Sequence, residues 1–150
     1  MSVIAWDGKM VAADKQATLG TLRVMTTKIR RIASGEILGW TGDQDSGMIV
    51  AKWYEDGADP EKWPVSQKDK DDWSRLLVFS SKNPPKFYER QPVAVTVEDK
   101  FMAWGCGRDF AIGAMALGSN AIDAVLIASR FDSACGMGVD SFSTVDSPCL

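Results

Sequence analysis

The sequence predicts an α+β fold in which helices cover antiparallel β-sheets. Short apolar stretches separated by turn residues indicate hairpins, and three stretches carry apolar residues at helical spacing. The predicted order is strands, one helix, strands, two helices and a final strand. A four-layer αββα sandwich is one arrangement that buries the apolar faces of elements in this order.

Two hairpins are predicted before the first helix. Asp7-Gly8 lies between two apolar stretches and predicts a type I′ turn, in which both central residues have positive φ. Ser34-Gly35 marks the second turn. A polar, threonine-rich segment joins the hairpins and is assigned no strand. The four strands are predicted over residues 3–6, 9–13, 27–33 and 36–41.

The first helix is predicted over Asp45–Asp56, behind an acidic start that suits a helix N-terminus. Residues 57–73 contain two prolines and the charged run Lys68–Asp72, so this segment is predicted to be a loop or a short broken helix with its charges facing solvent. Strands are then predicted over residues 75–80, 86–89, 93–97 and 101–104, and the last strand over 139–143.

Two further helices are predicted between these strands. The first presents small and apolar side chains from Phe110 to Leu117 on one face. The second spans Asn120–Phe131, with Ser119 as its predicted N-cap.

Composition limits the classes of function. A chain of 150 residues that is 45% hydrophobic can bury a core, so residues 1–150 are expected to form a single domain. Its 17 basic residues are scattered and the net charge is −3, which argues against a nucleic-acid partner. The acidic start and the absence of a long apolar run predict no signal peptide and no membrane association. We therefore expect a cytoplasmic protein.

The chain contains no histidine and three widely spaced cysteines: Cys106, Cys135 and Cys149. This pattern predicts neither a disulfide framework nor a zinc site, and we expect no cofactor and no metal. The absence of histidine also excludes Ser-His-Asp and Cys-His mechanisms. Any catalysis needs another general base.

Two stretches, Ala13–Gly20 and Lys28–Ile32, closely resemble the HslV-type peptidase, the simpler bacterial relative of the proteasome β subunit. The resemblance implies the four-layer αββα sandwich of N-terminal-nucleophile hydrolases. In that family a mature N-terminal threonine or serine attacks the peptide carbonyl, and its own α-amine helps to move the proton. Removal of Met1 would place Ser2 in this position.

The chemistry of a chain terminus fits this role. A hydroxyl needs an adjacent base to become a good nucleophile, and an α-amine has a reference pKa of about 7.7–8.0. A nearby cationic lysine favours the deprotonated forms of both groups, and a carboxylate can hold that lysine in place. Lys28 and Asp14 match the family positions for the lysine and the carboxylate.

The resemblance assigns four more residues to the site. Gly42 matches the glycine whose N–H serves as oxyanion donor. Gly105-Cys106-Gly107 resembles the family's Gly-Ser-Gly, and residues 132–136 resemble its Asp-x-x-Ser-Gly. Cys106, Asp132 and Cys135 therefore stand at supporting positions, with two thiols in place of hydroxyls.

The implied function is an endopeptidase subunit, active on peptides or unfolded proteins within a homo-oligomeric ring. An ATP-dependent unfoldase is a candidate partner, although residues 57–73 do not supply the long second helix of HslV-type chains. Two alternatives stay open: a catalytically inactive proteasome-like structural or interaction protein, and an N-terminal-nucleophile amidohydrolase acting on a small amide. Small proteasome-like proteins also occur in phage genomes, so the resemblance extends to a phage-encoded member.

Overall fold

The computed structural model describes residues 2–68 and 71–146. Three features of the sequence lie outside the described residues: Met1 with its expected removal, the middle of the charged run at Asp69-Lys70, and Cys149.

The helices are α1 (Gln44–Glu55), α2 (Arg108–Ala116) and α3 (Ala121–Phe131). Residues 57–73, predicted to be a loop or broken helix, contain two short 3-10 helices, Pro60–Lys62 and Val65–Gln67. The strands are β1 (Val3–Trp6), β2 (Met10–Asp14), β3 (Gln16–Leu19), β4 (Leu22–Met25), β5 (Ile29–Arg31), β6 (Ile37–Gly42), β7 (Ser74–Phe79), β8 (Lys86–Tyr88), β9 (Val95–Thr96), β10 (Met102–Gly105) and β11 (Val139–Ser143).

The strands form two main antiparallel sheets and a separate ribbon. The first sheet has the order β10-β1-β2-β11, the second has the order β5-β6-β7-β8-β9, and β3 pairs with β4 alone. Helices α2 and α3 pack on the first sheet, and α1 packs on β6 and β7 of the second. The four-layer αββα sandwich predicted from the sequence is therefore confirmed.

Three apolar clusters hold the layers together. Larger side chains, including Ile4, Leu77 and Phe79, fill the space between the two sheets. The cluster between the first sheet and its helices is built largely of alanines, which allow a helix to approach a sheet closely. Beneath α1 lies a cluster rich in aromatic rings, where Trp53 packs edge-on against Trp63 and Tyr88.

The prediction of four strands before the first helix is wrong, since β3 and β4 bring the number to six. The ribbon was missed because little of it is buried: the side chains of Leu19, Leu22 and Met25 are each at least 60% exposed. Each of its strands has only four residues, so the alternation of polar and apolar positions is too short to stand out in the sequence. Lys28, predicted inside a strand, lies immediately before β5.

The turn at Asp7-Gly8 also differs from the prediction. Only Gly8 has positive φ (+96°), because the Asp7 side chain shapes the turn by accepting hydrogen bonds from the N–H groups of Lys9 and Met10. The second Asp7 oxygen accepts the N–H of Ala121, at the start of α3. One carboxylate thus ties the first hairpin to a helix in the neighbouring layer.

The predicted N-cap of the last helix, Ser119, is wrong by one residue. Asn120 is the N-cap, and its side-chain oxygen accepts the N–H of Asp123 at 2.8 Å. Across residues 2–68 and 71–146, none of the helices combines the length and the apolar character needed to cross a membrane.

Candidate active site

Ser2 lies just before β1, and it shares a cavity with residues of β3 and β6. Its side chain is only 2% exposed, and Oγ has no hydrogen-bond partner among the described residues. A buried hydroxyl normally finds a partner, so an unpaired one is a candidate for function. Ser2 lines a cavity of about 150 Å³ together with Lys28 and Gly42.

The other residues that line this cavity were not assigned a role in the site from the sequence. They are Ala17, Thr18 and Leu19 of β3, together with Trp40, Asp43 and Gln44. The Trp40 indole N–H donates to Gln44 Oε1 at 3.1 Å, which fixes the ring at the cavity wall. The missed ribbon thus contributes directly to the site.

Asp14, at the end of β2, is completely buried and organises the region behind the cavity. Its Oδ1 accepts hydrogen bonds from the Lys28 ammonium at 2.7 Å and from the N–H of Val3 at 3.0 Å. Its Oδ2 accepts the N–H groups of Gln16 at 3.2 Å and Gly136 at 3.0 Å. One oxygen therefore links the lysine to the residue that follows Ser2.

The Lys28 side chain is 4% exposed, so its positive charge is held inside the protein by the Asp14 carboxylate. Its backbone also contributes to the architecture, because the carbonyl of Lys28 accepts the N–H of Trp40 on β6. A charge this deeply buried needs a partner of opposite sign to be tolerated. The pair places a cation on the wall that Ser2 shares.

Gly42 ends β6 at the turn into α1, with φ of +112°. A Cβ atom at this position would lie 2.7 Å from the carbonyl oxygen of Trp73, so only glycine fits. The next residue, Asp43, caps α1 by accepting the N–H of Ser46 at 2.8 Å. These constraints hold the Gly42 backbone at the cavity wall.

The two cysteines lie on the other side of Ser2. The Cys106 thiol donates to the carbonyl oxygen of Ser2 at 3.3 Å, and its sulfur lies 3.7 Å from that of Cys135. The hydrogen bond with Cys135 lowers the pKa of Cys106 to about 7 and raises the pKa of Cys135. Cys106 is exposed and Cys135 is buried. Asp132 completes this group, with a carboxylate oxygen within 4.8 Å of both sulfurs.

The glycines around Cys106 explain why this turn comes so close to Ser2. Gly105 has φ of +96°, and a Cβ atom there would overlap the backbone of Ser2. A Cβ atom on Gly107 would lie 2.8 Å from the sulfur of Cys135. The structure thus brings together the seven residues singled out from the sequence: Ser2, Lys28 and Gly42 at the cavity, Asp14 behind it, and Cys106, Asp132 and Cys135 beside the backbone of Ser2.

The layers and their connectivity match the fold of solved structures that include HslV. No model of a known protein family matches the sequence, and no curated protein sequence matches it either. Among solved structures, BPH from Thiobacillus denitrificans in complex with epoxomicin is 20% identical, with a TM-score of 0.74 over 99% of this chain and 100% of that one. HslV from Trypanosoma brucei is also 20% identical, with a TM-score of 0.72 over 95% of this chain and 97% of its own.

Proposed function

We propose that this protein is a peptidase subunit of the HslV and proteasome type, with Ser2 as its nucleophile once Met1 has been removed. The observation that carries the proposal is the buried Ser2 hydroxyl, which has no hydrogen-bond partner within the described part of the chain and lines a cavity with Lys28 and Gly42. The fold shared with HslV supports the same assignment.

In the first step the Ser2 Oγ attacks the carbonyl carbon of a peptide bond, and its proton passes to the Ser2 α-amine. The buried Lys28 ammonium favours the deprotonated hydroxyl and amine, and Asp14 holds this lysine in position. The N–H of Gly42 is the candidate donor to the developing oxyanion. A preorganised donor of this kind contributes about 2.7–4 kcal/mol to the stabilisation of the transition state in other hydrolases.

In the second step the carbon–nitrogen bond breaks, and the leaving amine takes the proton from the Ser2 amine. The resulting ester on Ser2 is then hydrolysed by water, with the same amine acting as general base. Cys106 and Cys135 stand where the family uses hydroxyls, and Cys106 contacts the Ser2 carbonyl. Their proposed role, with Asp132, is to position the start of the chain.

The proposal includes assembly into a homo-oligomeric ring in the cytoplasm, so that only unfolded chains reach the nucleophiles. Exposed apolar side chains on α2 and α3 support an assembly: Phe110, Leu126 and Phe131 are each more than 40% exposed. Phe110 and Phe131 also stack on each other, and exposed apolar groups that cluster often mark protein interfaces. Docking of an ATP-dependent unfoldase to such a ring is part of the same proposal.

The decisive experiment combines intact-mass measurement of the N-terminus with labelling by an electrophile that can bond both a hydroxyl and an α-amine. Epoxomicin, bound in one of the structures with this fold, is the first probe. We expect the native chain to lack Met1 and to carry one adduct on Ser2. The Ser2→Ala variant is expected to take up none, whereas Ser2→Thr, which keeps both groups, is expected to be labelled.

The same preparation separates the alternatives. Retention of Met1 in the native protein would favour a non-enzymatic shell or interaction protein. A Ser2 that is exposed as the first residue but stays unlabelled would overturn the proposed nucleophile. Hydrolysis of small amides without hydrolysis of an unfolded protein such as casein would favour the amidohydrolase.

A further inference from the structure

Three side chains that the sequence places far apart converge beside Ser2. Cys106 lies at the turn into α2, and Asp132 and Cys135 lie in the loop after α3. The two thiol sulfurs and one carboxylate oxygen all lie within 4.8 Å of one another. Sulfur and oxygen donors at this separation are the ligand types and the spacing of a metal site.

The sulfur–sulfur distance is the most informative measurement. Two thiolates bound to one tetrahedral Zn²⁺ at Zn–S distances of about 2.3 Å lie about 3.8 Å apart. The Cys106 and Cys135 sulfurs are 3.7 Å apart. A disulfide would need them at about 2.05 Å, so the observed spacing suits two ligands of one ion better than a covalent bond.

The backbone holds these ligands in place. The N–H of Cys135 donates to the carbonyl of Asp132 at 3.1 Å, and the N–H of Ala134 donates to Asp132 Oδ1 at 2.8 Å. The N–H of Gly136 is bound to Asp14, which anchors the loop in the core. Ligands on such a fixed frame lose little conformational entropy on binding.

We propose that Cys106, Cys135 and Asp132 bind a borderline-soft divalent cation of the Zn²⁺ type. The two thiols release their protons to solvent on binding, and the fourth position is left to water. Cys106 is exposed and gives the ion a path of entry. Because its thiol then no longer donates to the Ser2 carbonyl, an occupied site alters the contacts of Ser2. The proposed metal site does not depend on whether Ser2 cleaves peptides.

The test uses the full-length protein kept reduced with a phosphine. Titration with Zn²⁺ against a chromophoric chelator is expected to show one equivalent bound per chain. Titration with Co²⁺ is expected to give sulfur-to-cobalt charge-transfer absorption and the visible bands of a tetrahedral ion. Absence of the charge-transfer absorption, or Zn²⁺ binding no stronger than that of the Cys106→Ser variant, would overturn the proposal.

Variants identify the ligands. Cys106→Ser is expected to weaken Zn²⁺ binding by at least about tenfold, since even the partners of ligands cost that much when removed. Asp132→Asn is expected to weaken binding while leaving the sulfur-to-cobalt absorption in place. Cys149→Ser is the matched control and is expected to bind like the wild type. Loss of binding in Cys149→Ser, with retention in Cys106→Ser, would contradict the assignment.

Discussion

At the scale of single residues, the hydroxyl of Ser2 is unusual because it is buried without a hydrogen bond inside the described structure. Burying an unpaired hydroxyl costs free energy, on the order of 1–3 kcal/mol in mutational data. A group that is costly to the fold and that borders a cavity is more easily explained by function than by stability.

Ser2→Ala should therefore leave the free energy of unfolding unchanged or raise it by about 1 kcal/mol, because no hydrogen bond is lost. The matched control is Ser74→Ala, since the buried Ser74 hydroxyl donates to the carbonyl of Asp43. That variant should lose about 1–2 kcal/mol. Urea denaturation of both variants measures the difference, and a larger loss in Ser2→Ala would contradict the assignment of an unpaired hydroxyl.

The buried ion pair of Asp14 and Lys28 leads to a second prediction. Asp14→Asn removes the negative charge that compensates the Lys28 ammonium, so we expect a loss of about 3–5 kcal/mol of stability. Asp140→Asn breaks the partly exposed Lys15–Asp140 pair, which has a nitrogen–oxygen distance of 2.9 Å, and should cost about 1 kcal/mol or less. Denaturant midpoints of the two variants give the comparison, and equal losses would refute the structural role of Asp14.

Cys106 should react as a thiolate at lower pH than an ordinary cysteine. Its pKa is lowered to about 7, mainly by the hydrogen bond with Cys135. The rate of alkylation by iodoacetamide should therefore be half-maximal near pH 7 and should decrease at lower pH, where the thiol is protonated. Cys135→Ala removes that hydrogen bond, so the midpoint should rise. The rates are measured by mass spectrometry in a Cys149→Ser background with a chelator present. A midpoint unchanged by Cys135→Ala would rule out this cause.

At the scale of elements, the sequence predicted what is buried better than what is exposed. The helices were placed within one or two residues, because their apolar faces repeat at helical spacing. The β3-β4 ribbon was missed because Leu19, Leu22 and Met25 face outward. The Asp7 turn was misassigned because its geometry depends on side-chain hydrogen bonds, including one to the distant Ala121.

In the candidate site, too, some residues were predicted from the sequence and some contacts appear only in the folded structure. Ser2, Asp14 and Lys28 were assigned to one site by the resemblance to HslV-type peptidases, through motifs near the start of the chain. The contact between Cys106 and Cys135 depends on how α2 and α3 pack on the first sheet, and residue spacing alone argued against a metal site. Only the folded structure shows that the two sulfurs are close.

Helix α1 offers a test of packing at the scale of elements. Its Gly47 faces Trp40, and a Cβ atom there would overlap the indole ring, so Gly47→Ala should cost about 1–3 kcal/mol despite the better helix propensity of alanine. Gly113 in α2 has no atom within 4 Å of an added Cβ. Gly113→Ala should therefore gain about 0.5–1 kcal/mol. Thermal unfolding of both variants measures these shifts, and a stabilised Gly47→Ala would contradict the described packing of Trp40.

At the scale of the whole molecule, the proposed ring predicts self-association through exposed apolar surfaces. Phe131 on α3 is 59% exposed and stacks on Phe110 of α2. Phe131→Glu should weaken association by about tenfold or more, as expected for an aromatic residue at an interface. Val65→Glu, at an exposed apolar residue outside α2 and α3, is the control and should assemble normally. Sedimentation velocity gives the sizes, and a wild-type chain that stays monomeric would refute the ring.

The Asp14 carboxylate joins three stretches of chain that synthesis produces at different times: the start, the region around Lys28 and the loop at Gly136. The first two stretches leave the ribosome early, whereas Gly136 is among the last residues to be made. Under the proposed function, a nascent chain therefore lacks a complete set of contacts to Asp14, and so lacks a finished active site, until synthesis is nearly over.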